Sequence, residues 1–385
     1  MARNDGKPEI QHYVPQLLLR LHANEMSKHA ADPSKTGGEQ VYCFDKRTDK
    51  QFSTNVKIIL SDSRFYEIDT GDFVASLEHS LTKVEDDAAP ILTRIVEKRT
   101  LAGLTNGERQ TIAIFTAVQF ARTPLIRSTM KEMGEQMIAL MKADGLHMPG
   151  MPEPGEQDEE RLKKASLDLL ANSPKTFAPH LLVKHWYLMS AVPEDPFHLG
   201  DAPVVRDNDL DGSPSGTLGL ASPGVSVYLP LCPTLCLVMM CPGMARYLAE
   251  TRAQARKGYA KLFLKTIWPQ WGKRRLELAT PMAELASQYR QMEAKVGGIL
   301  RGKEPSEYTP EVVMRVNSLQ MMQAARWVVS SRNDFSLPKR MIADNDAFRQ
   351  GMPIKIVRVR PGTDQDGPAS AVWGYPAKSN GGADA

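Results

Sequence analysis

Two glutamates and an arginine on successive predicted helices could form a polar site. Glu78 and Glu85 are seven residues apart, so they share one helix face and lie roughly 10 Å apart along its axis. Gln119 and Arg122 lie in "RQTIAIFTAVQFART", a helix that is apolar on nearly every face, so both side chains should point inward. A buried arginine costs several kcal/mol unless it meets a carboxylate, carbonyl groups or a bound anion. We therefore expect a partner for Arg122, and Glu85 is the candidate.

A histidine and an aspartate from distant segments extend this set. His12 precedes Pro15, which opens an amphipathic helix, so the histidine lies on an extended approach from which its ring can turn inward. Asp201 follows Gly200 in "FHLGDAPVV", where a strand breaks, and loop carboxylates at strand ends are common functional positions. The candidate catalytic residues are therefore His12, Glu78, Glu85, Gln119, Arg122 and Asp201.

These residue types suit the hydrolysis of a phosphodiester. The carboxylates and His12 would hold a divalent metal or deprotonate a water molecule, while Arg122 neutralises the charge that develops in the transition state. Structural alternatives stay open: a buried ion pair for Glu85 and Arg122, a solvated glutamate for Glu78, and an Asx turn for Asp201. The chain contains no GxSxG, P-loop, Rossmann, HExxH or paired CxxC signature that would name a reaction.

A basic and aromatic stretch, "RYLAETRAQARKGYAKLFLKTIWPQWGKRR" at 246–275, is a candidate for binding nucleic acid, because cations contact phosphates and rings stack on bases. The nucleic-acid candidates are Arg252, Arg256, Lys257, Lys261 and Lys265. Helical spacing leaves an alternative: Leu248, Leu262 and Phe263 would form the buried side of an ordinary amphipathic helix whose basic face is solvated.

The elements that position these residues are mainly helical. Apolar spacing predicts a helix from about Asp72 to Lys98, kinked or split at Pro90, and a capping box, "TNGE" at 105–108, opens the next one. Further helices are predicted around "FAPHLLVKHWYLMSA" and at about 244–265, 280–297 and 310–330. Two hairpins are predicted, "VYCFD" with "QFSTNVKIIL", and 225–231 with 235–241. The predicted fold class is mainly α with a small β portion (α+β), a helical core with an N-terminal hairpin and a small antiparallel sheet.

Length and composition predict the domain organisation. A chain of 385 residues can bury a sizeable core. We expect an N-terminal helical part with a hairpin at 1–142, a flexible insertion at 143–160, and a helical and small-sheet part at 161–360 that packs into one unit with the first. The insertion combines prolines and glycines with an acidic run. The tail at 361–385 is expected to be mostly disordered.

Charge and hydropathy limit the classes of partner that the sequence predicts. The net charge of +3 is small for this length, so overall electrostatics predict neither a nucleic-acid nor a membrane partner, and any basic surface must be a patch. The charge-free stretch at 212–245 is interrupted by prolines and lacks a run of the roughly 20 apolar residues that a membrane helix needs. The cysteines, Cys43, Cys232, Cys236 and Cys241, are expected to be buried free thiols. We expect a cytoplasmic protein with no membrane partner.

Several motifs resemble those of a bacterial family that is catalogued as domain of unknown function 4238. The opening "QHYVPQLLLRLHA" is similar to the Gln-His-Tyr-Val-Pro stretch near the start of its members. The pieces "LEHSLTKVEDDAAPILTRI", "QFARTP", "GDAPV", "YLPLCP" and "NSLQMMQAARWVVS" extend the resemblance over about 12–330. Gly200 and Cys232 stand where serine is usual, which counts against a serine-based mechanism. The resemblance implies that the six candidate catalytic residues occupy the family's polar motif positions.

Two classes of function follow. The first is a hydrolase of phosphodiester type, nuclease-like, with or without a divalent metal, which acts on nucleic acid or a nucleotide and could serve as a bacterial defence or toxin effector. The second is a non-catalytic binding or interaction protein whose buried polar cluster is structural. Convergence of the candidate residues on a solvent-reachable cavity would favour the first class. Residues that are sealed off and neutralise only each other would favour the second.

Overall fold

The structure is a computed structural model that describes residues 10–28, 38–69, 74–145, 159–210, 218–356 and 371–373. In chain order, its helices are α1 (Gln16–Leu21), α2 (Glu25–Lys28), α3 (Glu78–Lys98), α4 (Asn106–Ala121), α5 (Pro124–Ala143), α6 (Glu159–Thr176), α7 (Ala178–Leu182), α8 (Pro242–Leu262), α9 (Trp268–Arg301), α10 (Pro310–Gln323) and α11 (Ser336–Asp344). A π-helical turn, Phe263–Ile267, joins α8 to α9, and a short 3-10 helix, Asp346–Arg349, follows α11.

The strands form two larger sheets and three two-stranded ones. They are β1 (Ile10–His12), β2 (Gln40–Asp45), β3 (Lys50–Asn55), β4 (Ser61–Ser63), β5 (Glu67–Asp69), β6 (Val74–Ser76), β7 (His185–Ser190), β8 (Leu199–Gly200), β9 (Val205–Asn208), β10 (Val225–Cys232), β11 (Leu235–Met240), β12 (Ser306–Glu307), β13 (Trp327–Ser330), β14 (Ile354–Ile356) and β15 (Ala371–Trp373). The orders are β12-β7-β11-β10-β9 and β3-β2-β13-β8, with β1-β4, β5-β6 and β14-β15 as pairs. Only the β12 to β7 pairing is parallel within the described residues.

Helix α4 lies in the interior, as its apolar sequence predicts. Its side chains from Ile112 to Ala121 are mostly buried, and it packs against α3, α6 and α7. The predicted capping box is confirmed: the Glu108 amide donates to Thr105 Oγ1 at 3.2 Å, and the Thr105 amide donates to Glu108 Oε2 at 2.9 Å. This cap fixes the start of the helix whose far end carries Gln119 and Arg122.

Both predicted hairpins are confirmed, and the coarse α+β class is correct. Strand β2 pairs antiparallel with β3, and β10 pairs antiparallel with β11. Every residue of β10 and β11 is buried. Each hairpin is extended by strands from far along the chain, because β13 and β8 add to β2 while β7 and β9 flank the second hairpin.

Three predicted helices need correction. The segment "HWYLMS" is strand β7 and not helix, because its inner residues are buried in register against β11. The helix predicted at 310–330 ends at Gln323, and 327–330 forms β13 against β2. The helix predicted from Asp72 begins at Glu78, after strand β6, and it runs through Pro90 without a break.

One buried apolar cluster contains side chains from Tyr13 to Val329, drawn from helices and from both larger sheets. The domain boundaries at 142 and 161 stay predictions. Residues 146–158 of the predicted insertion lie outside the described residues, as does the predicted tail except for β15, which pairs with β14. All four cysteines are buried and free, as predicted. Across the described residues, we find no helix with the length and apolar character that a membrane span requires.

Candidate functional site

Side chains from α4 and from the segment after β4 hold the N-terminal strand β1 in place. The Tyr13 carbonyl, just after β1, accepts hydrogen bonds from Gln119 Nε2 at 2.9 Å and from Arg122 Nε at 3.0 Å. Tyr66 Oη donates to the His12 carbonyl at 2.9 Å. Because a three-residue strand has few ladder bonds of its own, these side-chain contacts fix the position of Tyr13.

Glu85 meets Arg122, so the predicted pairing is confirmed. Glu85 Oε1 lies 2.6 Å from Arg122 Nη1, and the arginine is 2% exposed while the glutamate side chain is 30% exposed. Burial alone would lower the pKa of Arg122, but nearby Tyr66 and the Glu85 carboxylate raise it above its usual value. We call Glu85, Gln119, Arg122 and the Tyr13 carbonyl the buried polar cluster.

His12 and Glu78 lie at the edge of this cluster. Burial lowers the pKa of His12, while a hydrogen bond with the Val56 backbone and the charge of Glu85 oppose the shift and the charge of Arg122 adds to it. Glu78, the first residue of α3, is half-buried and close enough to Arg122 to raise its pKa. Within the described residues, His12 Nε2, Gln119 Oε1 and Arg122 Nη2 are buried without a hydrogen-bond partner, and buried water commonly satisfies such atoms.

Asp201 does not join the buried polar cluster. Its carboxylate accepts hydrogen bonds from the amides of Ala325, Arg326 and Trp327 at 2.7, 2.8 and 2.9 Å, and it is 1% exposed. Burial raises the pKa of Asp201, while these amides and Lys46 oppose the shift. These contacts hold the turn between α10 and β13, and their partners lie far along the chain and not in the neighbouring backbone that an Asx turn would use.

Tyr13 also lines a cleft of about 890 Å³. Its apolar lining includes the rings of Tyr13, Phe65 and Trp327. Its charged lining comprises Arg47, Asp62, Glu67, Arg127, Lys131, Glu159, Glu160, Lys163, Asp201 and Arg326. We call this cavity the Tyr13 cleft. Of the six candidate catalytic residues, all of which the structure describes, Asp201 is the one that lines it.

Two cations stand on one wall of the Tyr13 cleft without a carboxylate bound to them. Arg127 donates to the Phe65 carbonyl at 3.2 Å and to Ser166 Oγ at 3.3 Å, and Lys163 Nζ donates to the Arg64 carbonyl at 3.0 Å. Neither forms an ion pair within the described residues. Burial lowers the pKa of Arg127, and the nearby Asp62 opposes the shift. Burial and the charge of Arg127 lower the pKa of Lys163, while the nearby carboxylates Glu67, Asp62 and Glu160 oppose it.

The remaining cations of the Tyr13 cleft differ in how far the protein already neutralises them. Arg326 forms a two-pronged pair with Asp45, at 2.8 and 3.2 Å, and its guanidinium lies 4.2 Å from the Trp327 ring centroid. Arg47 and Lys131 are exposed at the rim. Burial and, after it, the nearby Asp201 raise the pKa of the Tyr13 hydroxyl, so Tyr13 lines the cleft as a neutral phenol.

The basic residues that were predicted to bind nucleic acid lie far along the chain on α8 and the π-helical turn. Arg252 is already paired with Glu293 of α9, at 2.7 Å. Arg256, Lys257, Lys261 and Lys265 are exposed. The apolar side that was expected to bury α8 is covered only in part: no residue of the helix is fully buried, Leu248 packs half-buried against a buried apolar cluster, and Leu262 is exposed.

A metal site is not found among the described residues, where no three or more His, Cys, Asp or Glu side chains are grouped so that they could hold an ion. The divalent metal expected at the carboxylates therefore gains no support from their positions. Tyr13, Arg127 and Lys163 were missed in the sequence. Their only common signal is a cation or ring next to a helix start, which is too frequent to select them.

Comparison with known proteins places the chain in a family. Neither the curated proteins nor the solved structures provide a match. The family model described as "Protein of unknown function (DUF4238)" matches residues 10–334, a span that contains β1, the buried polar cluster, the Tyr13 cleft and β13. The chain therefore belongs to the DUF4238 family of proteins of unknown function.

Proposed function

We propose that this protein binds a small phosphate-bearing ligand, such as a nucleotide, in the Tyr13 cleft. The observation that carries the proposal is the pair of cations, Arg127 and Lys163, on one wall with only neutral oxygens bound to them. Partial burial makes both charges costly and lowers both pKa values, so a bound anion would stabilise them.

The shape and lining of the Tyr13 cleft support a nucleotide-sized ligand. A volume of about 890 Å³ lies within the range that small-molecule sites occupy. The Arg127 guanidinium lies 4.3 Å from the Phe65 ring centroid, which fixes its plane and suits it to phosphate oxygens. Asp62 and Glu67 supply acceptors for ribose hydroxyls or base amino groups.

The buried polar cluster supports this site by holding Tyr13 in position. Gln119 and Arg122 hold the Tyr13 carbonyl, while the Tyr13 ring packs on Phe65 with a centroid distance of 5.5 Å. The cluster therefore affects the ligand through the position of Tyr13, because its own charged side chains do not line the cleft. This corresponds to the second class of function that the sequence allows, a binding protein with a structural polar cluster.

Calorimetric titration with adenosine 5′-monophosphate tests the proposal, with adenosine as the probe that lacks the phosphate. We expect binding of the nucleotide and at least about tenfold weaker binding by Lys163→Gln, because a hydrogen bond to a charged group contributes about 1.5–3 kcal/mol. Lys164→Gln is the matched control, since Lys164 is exposed on the same helix and does not line the cleft. Equal binding of adenosine, unchanged binding by Lys163→Gln, or no binding of the nucleotide would overturn the proposal.

Phosphodiester hydrolysis in the same cleft is a second proposal. Its support is the presence of two carboxylates, Asp62 and Glu67, beside the two cations, because a carboxylate can accept a proton from water while cations stabilise the phosphoryl charge. Release of nitrophenol from bis(p-nitrophenyl) phosphate, measured with and without Mg²⁺ or Mn²⁺, should be lost in Asp62→Asn. If no nitrophenol is released, the binding function stands alone.

A role in bacterial defence and a cytoplasmic location stay predictions of the sequence.

A further inference from the structure

Helices α8 and α9 form a helical hairpin that packs mainly on itself. The rings of Tyr259 and Tyr289 stack with a centroid distance of 4.4 Å, and Arg252 pairs with Glu293. The hairpin is attached at its base, where Ile299 joins a buried apolar cluster together with the start of α8. A helix of 21 residues is about 30 Å long, so α8 carries the hairpin well beyond this base.

The hairpin concentrates the positive charge of the protein. Residues 242–301 contain twelve lysines and arginines and four glutamates, a net charge of +8. Because the whole chain carries +3, the rest of the protein carries −5. The small net charge of the whole chain is therefore the sum of a basic hairpin and an acidic remainder. This separation of charge favours a polyanionic partner for the hairpin.

Three lysines form a ridge along the outer part of the hairpin. Lys257 and Lys261 are four residues apart on α8, so they share one face, and Lys265 follows after the same interval in the π-helical turn. The rise between neighbouring lysines is about 6 Å at 1.5 Å per residue. All three are exposed, and none forms an ion pair within the described residues. The ridge thus presents three separate charges to solvent.

The distribution of exposed apolar side chains favours nucleic acid over a membrane surface. A helix that lies on a membrane needs a continuous apolar face. Among the hairpin side chains that the structure describes, which exclude 266–279, the large exposed apolar residues are Tyr247 at the base and Leu262 and Leu264 near the turn. Between 249 and 261, the exposed positions of α8 carry small, polar or charged side chains. A phosphodiester backbone requires only the cations.

We propose that the lysine ridge, Lys257, Lys261 and Lys265, binds the backbone of a nucleic-acid duplex without sequence preference. This inference rests on the charge and exposure of the hairpin and not on the ligand of the Tyr13 cleft. Each lysine that neutralises a phosphate releases condensed counterions, so the affinity falls steeply as the salt concentration rises.

Fluorescence anisotropy of the full-length protein with a labelled duplex of about 20 base pairs tests the ridge. The variant is Lys257→Gln/Lys261→Gln/Lys265→Gln, and the matched control is Lys83→Gln/Lys98→Gln/Lys175→Gln, three exposed lysines on other helices. We expect the ridge variant to bind at least about tenfold more weakly, and the slope of log affinity against log salt to become about 2–3 units shallower, since each phosphate contact contributes about 0.9. The control should retain most of the affinity and nearly the full slope.

Parallel titrations separate the possible occupants. A DNA duplex and an RNA duplex distinguish the two sources of the backbone, and vesicles with phosphatidylserine report a membrane surface instead. Equal losses in the ridge and control variants, tighter binding to the vesicles than to either duplex, or no duplex binding at low salt would overturn the proposal. Unchanged circular dichroism and melting temperature in the ridge variant ensure that a loss of affinity is not a loss of fold.

Discussion

Arg122 and Arg127 lie five positions apart in the chain, yet their electrostatic environments differ, since Arg122 is buried against the Tyr13 carbonyl and Arg127 lines the Tyr13 cleft. Arg122 is bound by a carboxylate and a carbonyl inside the protein, and its pKa is raised. Arg127 is bound only by a carbonyl and a hydroxyl beside an open cleft, and its pKa is lowered. An arginine that binds a carboxylate of the protein directly stabilises the fold, whereas one that binds only a carbonyl and a hydroxyl keeps its donors available to a ligand.

The contacts of each charged side chain therefore distinguish a structural role from a binding role, which the residue type alone does not. The buried polar cluster contains the residues that look catalytic in the sequence, but its contacts are directed at the protein's own backbone. The Tyr13 cleft contains residues with no distinctive sequence pattern, but its cations face solvent. The predictions below test whether stability depends on the first region and ligand affinity on the second.

The largest expected effect is that of Arg122→Met on stability. Removing one partner of a buried ion pair leaves the other without compensation, which costs about 3–5 kcal/mol. The control is Arg94→Met, because Arg94 and Glu108 also approach to 2.6 Å but the Arg94 side chain is 40% exposed against 1% for Arg122, and exposed pairs contribute about 0–1 kcal/mol. Urea unfolding measures both. Similar losses of unfolding free energy in the two variants would show that the burial of Arg122 does not determine how much its ion pair stabilises the fold.

Glu85→Gln should have a smaller effect on the free energy of unfolding, about 1–3 kcal/mol. The glutamine keeps a hydrogen-bond acceptor near Arg122 Nη1 but loses the negative charge, and the 30% exposure of Glu85 lets water replace part of it. Urea unfolding at neutral pH measures the change. A gain in stability would contradict the assignment of Glu85 as the counter-ion of Arg122.

Arg127→Met should change the free energy of unfolding by less than about 1 kcal/mol. The methionine can keep contact with the Phe65 ring, and the charge that it removes has no direct contact with a carboxylate among the described residues. The same urea titration measures this value. A loss as large as that of Arg122→Met would remove the contrast between the two arginines.

The smallest effect should appear in the pH dependence of stability. Burial lowers the folded-state pKa of His12 below the ordinary value of 6.5, so its contribution is fully present above pH 6.5 and is lost as the pH falls toward the lowered pKa. His22 and His198, whose pKa values burial lowers to about 4, act in the same direction. His12→Gln should therefore lose less stability on acidification than the unmodified protein. Unfolding curves at pH 7 and pH 5 check this, and identical losses would contradict it.

The sequence predicts the parts of this protein that local physics determines. The capping box at Thr105 is encoded within four residues, and the apolar faces around Arg122 require a partner, so both could be foreseen. Strands β7 and β13 were assigned to helices because short apolar runs carry no reliable period, and only their pairing with β11 and β2 decides their conformation.

The Tyr13 cleft could not be predicted because its walls come from distant segments. Tyr13 follows β1, Arg127 is on α5, Lys163 is on α6 and Trp327 is on β13. Their proximity depends on how these elements pack, which no local pattern encodes. The turn-fixing role of Asp201 likewise depends on amides more than a hundred residues away.

The most direct test of the division at Tyr13 is the affinity for adenosine 5′-monophosphate of two variants, Glu85→Gln and Arg127→Met, measured by calorimetry under conditions in which both are folded. The structure predicts that Glu85→Gln binds within about twofold of the unmodified protein although it is less stable, and that Arg127→Met binds at least about tenfold more weakly although its stability is nearly unchanged. Loss of binding in Glu85→Gln together with normal binding in Arg127→Met would contradict the account.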